Sequence, residues 1–169
     1  TLNADVSAGS GAMSLTSANT INQTAGTITA GDLTVSAAGA VLTQANDVDG
    51  LEASITGTND FSFTDADDLA LGFTGGITGV TTNDGSVTIT AGGITVSEAV
   101  TAGGAGDITL TTNSTVGSGT LTLNANVDAT GDDIFLVSAD GINQTGGTLS
   151  AANLTVTAVD GVTLTQTGN

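Results

Sequence analysis

The amino-acid sequence predicts an all-β fold, a parallel β-helix (β-solenoid) built of short Thr/Val/Ile/Leu strands with Gly-rich corners. First, the 169 residues include 33 Thr and 25 Gly, and Gly recurs so often that a long helix has no uninterrupted window. Second, short segments alternate apolar residues with Thr or Ser, which is the pattern of a strand with one buried face. Third, these segments recur at a spacing that suits one coil of a solenoid.

The predicted strands follow one another along the chain with Gly-rich corners between many of them. In chain order the strands are 14–16, 33–36, 87–90, 108–111, 120–124, 134–138, 154–157 and 162–165. The corners are 91–93, 102–106, 117–119 and 145–147. Thr favours strands, and Gly permits the tight corners that a short coil requires.

The spacing of the strands indicates coils instead of hairpins. Corresponding positions are predicted to step from Val87 to Ile108, then to Ile134, and then to Val162. Steps of roughly 20 to 28 residues hold two or three short strands per coil, with coils stacked about 4.8 Å apart. A β-sandwich is the alternative, but it requires hairpin turns, and the Asp-Gly pairs of this chain mostly precede single strands.

The alternation also predicts which side chains face the interior. The predicted core columns contain Leu33, Val35, Val87, Ile89, Ile108, Leu110, Ile134, Leu136, Leu154 and Val156. The intervening Thr and Ser residues are expected to face water.

An internal repeat with a period of about 121 residues divides the chain. Residues 1–37 align without a gap onto residues 122–158 with 20 identities in 37 positions, including Ile-Asn-Gln-Thr in both copies. After a slip of one position the match resumes, so that 1–48 corresponds to 122–169. A repeat of this kind predicts one continuous solenoid segment over residues 1–169.

The stretch from Thr58 to Gly76 departs from the rhythm, since it holds three of the four Phe and four Asp. It is predicted to form wide strands with an acidic turn. Asp65, Asp67 and Asp68 are weak candidates for Ca²⁺, which prefers oxygen ligands. The spacing is not that of an EF-hand, so a solvated acidic turn is the alternative.

Composition excludes several classes of function. The chain has no Lys, Arg, His or Cys and a formal net charge of −17. Nucleic acid requires cations that this chain does not have. No apolar run approaches the roughly 20 residues of a membrane span, so membrane insertion is not expected. Without a Ser-His, Cys-His or Lys-based nucleophile, we expect no enzyme activity and no cofactor other than Ca²⁺ at the acidic candidates named above.

Thr-x-Thr pairs suggest an alternative function as a ligand-binding surface solenoid. The pairs lie at 27–29, 88–90, 109–111, 120–122, 155–157 and 163–165. Regular ladders of Thr on a flat face could order water and bind ice. The alternating strands of a Thr-rich chain also produce such pairs by default.

Three segments resemble a known type of repeat: INQTAGTITAGDLTVSAAGAVLTQANDV at 21–48, FTDADDLALG at 63–72 and GGITVSEAVTAGGAGDITLTT at 92–112. They are similar to the repeat regions of filamentous-haemagglutinin-like adhesins, which are very large bacterial surface exoproteins. The resemblance implies a right-handed parallel β-helix, export to the cell surface and an extracellular role in adhesion or matrix building.

The expected function is therefore structural: the shaft of a bacterial surface fibre or adhesin. A solenoid needs polar caps to cover its terminal strands, and neither end of this sequence contains a recognisable cap. We therefore expect the open ends to be continued, either by the same chain or by self-association head to tail into filaments.

Overall fold

The computed structural model describes residues 1–73 and 77–169, and within them the chain forms strands and no helix. All strand pairings are parallel, and the strands stack as a β-solenoid of about 7 turns, which confirms the predicted fold class. The strands are β1 (Val6–Ser7), β2 (Ala12–Thr16), β3 (Thr20–Asn22), β4 (Ile28–Ala37), β5 (Gly39–Ile55), β6 (Phe61–Asp65), β7 (Asp68–Leu71), β8 (Val80–Thr82), β9 (Val87–Ala91), β10 (Gly93–Val96), β11 (Val100–Ala102), β12 (Ile108–Thr112), β13 (Leu121–Leu123), β14 (Val127–Ser138), β15 (Gly141–Gln144), β16 (Leu149–Ala158) and β17 (Gly161–Thr163).

From β7 onward each coil has three sides. Side A stacks β7, β10, β13, β15 and β17. Side B stacks β8, β11, residues 127–129 of β14 and residues 149–151 of β16. Side C runs through the whole structure and stacks β3, residues 39–41 of β5, β6, β9, β12, residues 134–138 of β14 and residues 154–158 of β16.

The core is a set of apolar columns, because every inward residue of one coil lies on an inward residue of the next. On side C, Val87 pairs with Ile108 and Ile108 pairs with Ile134. Eight of the ten predicted core residues have a relative exposure of 0%. They are Leu33, Val35, Val87, Ile89, Ile108, Leu110, Ile134 and Leu136.

The expectation that Leu154 is buried is wrong. Leu154 lies in the correct column, opposite Ile134, but 38% of the residue is exposed. Val156 occupies the next inward position and is only partly buried against the core. Both residues belong to the last complete coil, where no further strand of side C covers them in the described part of the chain. The alternation therefore predicts whether a side chain points inward or outward. Burial of an inward side chain also requires a neighbouring coil on each side of its own coil.

One predicted step between coils is also wrong. Ile134 pairs with Leu154 and not with Val162. Val162 instead pairs with Ile142 on side A. The two steps that precede it, from Val87 to Ile108 and on to Ile134, agree with the register. The coil that starts at Ile134 is already complete at Leu154, so Val162 lies one side further along the chain.

The two copies of the internal repeat form the same strands. The strand β4 spans Ile28–Ala37 and β16 spans Leu149–Ala158. The register is equivalent as well, since Val6 pairs with Ile28 and Val127 pairs with Leu149. The local sequence therefore determines the local coil.

The Phe-rich stretch contributes β6 and β7, separated by a bend at Ala66 and Asp67. Phe61 and Phe63 are buried, and their ring centroids lie 6.5 Å apart. The last part of the predicted stretch, residues 74–76, lies outside the described residues.

Substitutions on adjacent residues of β9 test the register. Ile89 is 0% exposed, whereas Thr88 faces solvent. Ile89→Asp places a carboxylate in the core of a chain that has no Lys or Arg to pair with it, and we expect a loss of about 4 kcal/mol or more in the free energy of unfolding. Thr88→Asp adds the same charge on the surface and should cost about 1 kcal/mol or less. Denaturant unfolding followed by circular dichroism measures both. Equal costs would show that the register is shifted by one residue.

Candidate functional site

The most unusual chemical feature of the structure is a set of buried polar side chains, all of them in the interior except Glu52. The buried polar residues are Gln23, Asn46, Glu52, Asp65, Thr82, Thr112, Ser138 and Gln144. Within the described part of the chain, no buried side-chain nitrogen or oxygen lacks a hydrogen-bond partner. The interior therefore tolerates these groups because their hydrogen bonds offset the loss of water.

Gln23 and Asn46 form an amide pair at the corner that follows side C. The Nε2 of Gln23 donates to Oδ1 of Asn46 at 2.7 Å, and the Nδ2 of Asn46 donates to Oε1 of Gln23 at 3.3 Å. The backbone N–H of Ile28 also donates to Oδ1 of Asn46 at 2.9 Å. Asn46 further donates to the carbonyl of Thr64 in the next coil at 3.0 Å. The pair thus joins successive coils through side chains as well as through the backbone.

The second copy of the repeat builds the same corner with Gln144 and Asn169. The Nδ2 of Asn169 donates to Oε1 of Gln144 at 2.8 Å, and the backbone N–H of Leu149 donates to Oδ1 of Asn169 at 3.0 Å. Sequence analysis found the shared Ile-Asn-Gln-Thr that contains Gln23 and Gln144 but missed its structural role. The sequence signal for this corner is that Gln occurs in both copies, at Gln23 and Gln144, at a position where the alternation predicts an inward apolar residue.

Asp65 continues the column above Asn46, with which it pairs in register. The backbone N–H of Val48 donates to its Oδ1 at 3.1 Å, in the same manner as Ile28 donates to Asn46. Burial, assisted by a hydrogen bond with the Asp67 carboxyl, raises the pKa of Asp65 to about 8. The cause is that the interior disfavours the charged form. Asp65 therefore occupies a position that suits a neutral side chain.

The three acidic candidates for Ca²⁺ separate in the structure. Asp65 points into the core, and the exposed Asp68 accepts a hydrogen bond of 2.7 Å from the backbone N–H of Ser118. Asp67 lies on the bend between them and donates its backbone N–H to Asp65 at 3.4 Å. Over residues 1–73 and 77–169 no group of three carboxylates is close enough to hold a metal ion. The spacing along the chain placed these residues together, but the turn between β6 and β7 sends them in different directions.

The only two Glu residues of the chain accept hydrogen bonds from backbone N–H groups of described residues between β7 and β8. Glu52 accepts hydrogen bonds from the backbone N–H groups of Phe73 at 3.2 Å and Ile77 at 3.1 Å. Glu98 accepts from the N–H of Gly79 at 2.8 Å. Glu52 is 0% exposed although it lies in β5 between the inward residues Leu51 and Ala53. Both carboxylates therefore have a structural role as acceptors for backbone N–H groups.

Side C carries an ordered array of hydroxyl groups. Thr88 pairs with Ser62 and Thr109, and Thr90 pairs with Thr64 and Thr111, so three successive coils present two hydroxyls each. Phe135 and Val137 occupy the same positions in the next coil and interrupt the array before Thr155 and Thr157. The Thr-x-Thr pairs at 88–90 and 109–111 are thus in register, and the complete set extends over three coils.

A shallow surface groove of about 240 Å³ lies on side A. Its walls carry hydroxyls and two carboxylates, from Asp49 and Asp68. Asp68 is engaged by the N–H of Ser118. The groove therefore offers a polar surface to solvent and has no enclosed volume in which a substrate could be desolvated.

The comparisons with known proteins add no identification: no protein-family model, no curated protein and no solved structure matches the chain. In the described residues there is also no helix that is long and apolar enough to cross a membrane. The interpretation of function consequently depends on the geometry of the solenoid.

The buried carboxyl of Asp65 predicts a specific pH dependence. Its folded pKa of about 8 lies above the ordinary value of 3.8, so the folded state holds a proton that the unfolded state releases between these pH values. This contribution to stability is complete below about pH 4 and is lost as the pH rises through 8. Asp65→Asn keeps the shape and cannot ionise. We expect it to raise the free energy of unfolding by several kcal/mol at pH 8, because ionisation is far more costly in the folded state, and to change it little at pH 4.

The control is Asp68→Asn, which removes the same charge from an exposed position. Unfolding curves at pH 4, 6 and 8 compare both variants with the parent chain. An Asp65→Asn difference that stays constant with pH would contradict the burial of a titrating group at this corner.

Proposed function

We propose that the chain is a structural segment of an extracellular, cell-surface fibre, where it forms part of the shaft of an adhesin. The observation that carries this proposal is the regular stack of parallel coils, which repeats one backbone ladder and one set of apolar columns along a single axis. The same columns are exposed at the two ends of the described stack. Leu154 is 38% exposed and Val162 is 47% exposed, although both lie in inward columns of the stack. At the opposite end, Leu2, Leu15 and Ile21 line an open depression of about 380 Å³.

Backbone groups favour the same interpretation. Each strand pairs with strands of the preceding and following coils, so the outermost strands present unpaired N–H and C=O groups. A further coil satisfies these groups and covers the apolar columns in one step. That coil can come from the continuing chain or from a second copy stacked head to tail. Contacts of this kind are heterologous and do not close, so they build filaments.

Charge supports growth along the axis over growth to the side. All 17 ionisable side chains are carboxylates, and many of them lie at the corners. Asp60, Asp84, Asp107 and Asp140 are examples, each outside the named strands. Two copies that approach side by side bring like charges together, whereas the terminal coils expose residues of the inward columns, such as Leu154 and Val162. The resemblance to filamentous-haemagglutinin-like repeats supports the extracellular setting and the role as a shaft.

Adjacent residues of β16 test whether the last coil is an assembly surface. Leu154→Lys places a charge in a column that is uncovered in the single chain and buried in a stack, so the variant should fold and fail to assemble. Thr155→Lys makes the same change of charge on the lateral surface. We expect the parent chain and Thr155→Lys to form filaments at tens of micromolar. For Leu154→Lys the critical concentration should rise by about 100-fold or more, because an unpaired charge would be buried.

Sedimentation and negative-stain electron microscopy measure the assembly. A parent chain that remains a monomer at these concentrations, with slowly exchanging amides in its first and last strands, would show that the terminal coils are not assembly surfaces.

A further inference from the structure

The two copies of the internal repeat lie on different sides of the solenoid. The side C column that begins at Ile21 reaches Ile134 in five inter-coil steps. The residue that corresponds to Ile21 in the second copy, which we call its repeat mate, is not Ile134 but Ile142, one strand further along the chain. Ile142 belongs to side A, where it pairs with Leu121. The repeat therefore comprises five coils and one additional side.

The other strands of the repeat show the same displacement. Met13 of β2 lies in a column with Leu33, Leu51 and Leu71, which leads to side A. Leu15 lies in a column that leads to β8 on side B. The repeat mates of these two residues, in β14, lie on side C. The counterpart of β2 in the second copy therefore lies further around the solenoid axis than β2 itself. The same holds for β3, whose counterpart is β15.

The rotated copies are equivalent in detail. The backbone N–H of Thr27 donates to Oδ1 of Asp5 at 2.9 Å, and that of Thr148 donates to Oδ1 of Asn126 at 3.0 Å. The two amide corners built on Gln23 and Gln144 also correspond. The same sequence therefore forms the same corner after side C in the first copy and after side A in the second. This is possible because the backbone ladder is the same on all three sides.

We infer that the internal repeat acts as a screw unit, in which each added unit extends the shaft by about five and one third coils and turns the pattern by one third of a revolution. At about 4.8 Å per coil this corresponds to a rise of about 26 Å, and three units return to the starting side after about 77 Å. The inference rests on the proposed shaft.

The screw determines how such a shaft presents its surfaces. Features that occur once per unit, such as the hydroxyl array on β6, β9 and β12, recur on all three sides in turn and never form one continuous stripe. The partner that fits this arrangement is a second shaft of the same pitch, which meets equivalent surfaces from any of three directions. A flat, extended ligand that lies along one side of the shaft contacts the hydroxyl array of only one unit in three. The screw thus favours a network of crossing shafts over flat layers of parallel shafts.

A tandem polypeptide tests the screw without requiring filaments. It contains residues 1–121 three times in succession, followed by residues 1–48, so each junction reproduces the natural step from Leu121 to Thr122. Thr88→Cys in every unit provides one surface thiol per unit for a gold label, because the chain has no other cysteine. Cryo-electron microscopy should show labels about 26 Å apart along the axis and one third of a turn apart around it. Labels in a straight line would overturn the inference.

The natural chain provides a second measurement if the tandem polypeptide does not fold. Two doubly spin-labelled variants are compared by the distance between their labels. The first carries Thr34→Cys and Thr155→Cys, which are repeat mates. The second carries Val41→Cys and Thr155→Cys, which lie in one side C column five coils apart. The first distance should exceed the second by several ångströms. Equal distances would place the mates on one side and refute the screw. Filament assembly is measured separately with Leu154→Lys, so failure of the shaft and failure of the screw give different results.

Discussion

The parallel backbone ladder between coils is the interaction on which the rest of this structure depends. Each strand finds its partners one coil away in space and a full circuit of the chain away in sequence, as in the steps from Val87 to Ile108 and from Ile108 to Ile134. The ladder stacks identical inward positions, which creates the apolar columns. It also makes burial depend on neighbours, so that Ile134 is 0% exposed and its column mate Leu154 is 38% exposed.

The same ladder explains why the interior accepts polar side chains. At a corner the backbone turns away from the ladder, so some backbone N–H and C=O groups have no backbone partner in the next coil. The side-chain amide of an inward Asn then forms hydrogen bonds with these groups. Asn46 does this for Ile28 and Thr64, and Asn169 does it for Leu149. Asp65 has the same geometry but carries an ionisable group. Such corners join the coils without a thick core, which suits a chain whose only aromatic residues are four Phe.

Sequence reasoning predicted the fold class because alternation and Gly spacing are local properties. It also gave the direction of every chosen core residue, including Leu154, whose column is right although its burial is not. It failed where the answer depends on the length of a corner. The step from Ile134 leads to Leu154 and not to Val162, and the sequence could not distinguish them because the alternation is identical on all three sides. For the same reason, the rotation of the second copy cannot be read from the sequence alone.

The acidic residues illustrate a second limit of sequence patterns. Asp65, Asp67 and Asp68 are neighbours in the chain, yet one is buried, one lies on a bend and one is exposed. Glu52 and Glu98 are far apart in the chain, yet both accept hydrogen bonds from backbone N–H groups between β7 and β8, at Phe73, Ile77 and Gly79. In a solenoid, proximity is set by the coil, and a functional cluster has to be sought between coils. The structural role of the carboxylates follows from this arrangement.

Amide hydrogen exchange tests the central claim, that the ladder between coils holds the structure together. In the single chain, at concentrations below assembly, the slowest exchange should occur in β6, β9 and β12, which have coils on both sides, and the fastest in β1 and β17. Protection should therefore fall toward both ends of the stack. Uniformly fast exchange, or protection that is greatest in the terminal strands, would contradict the account.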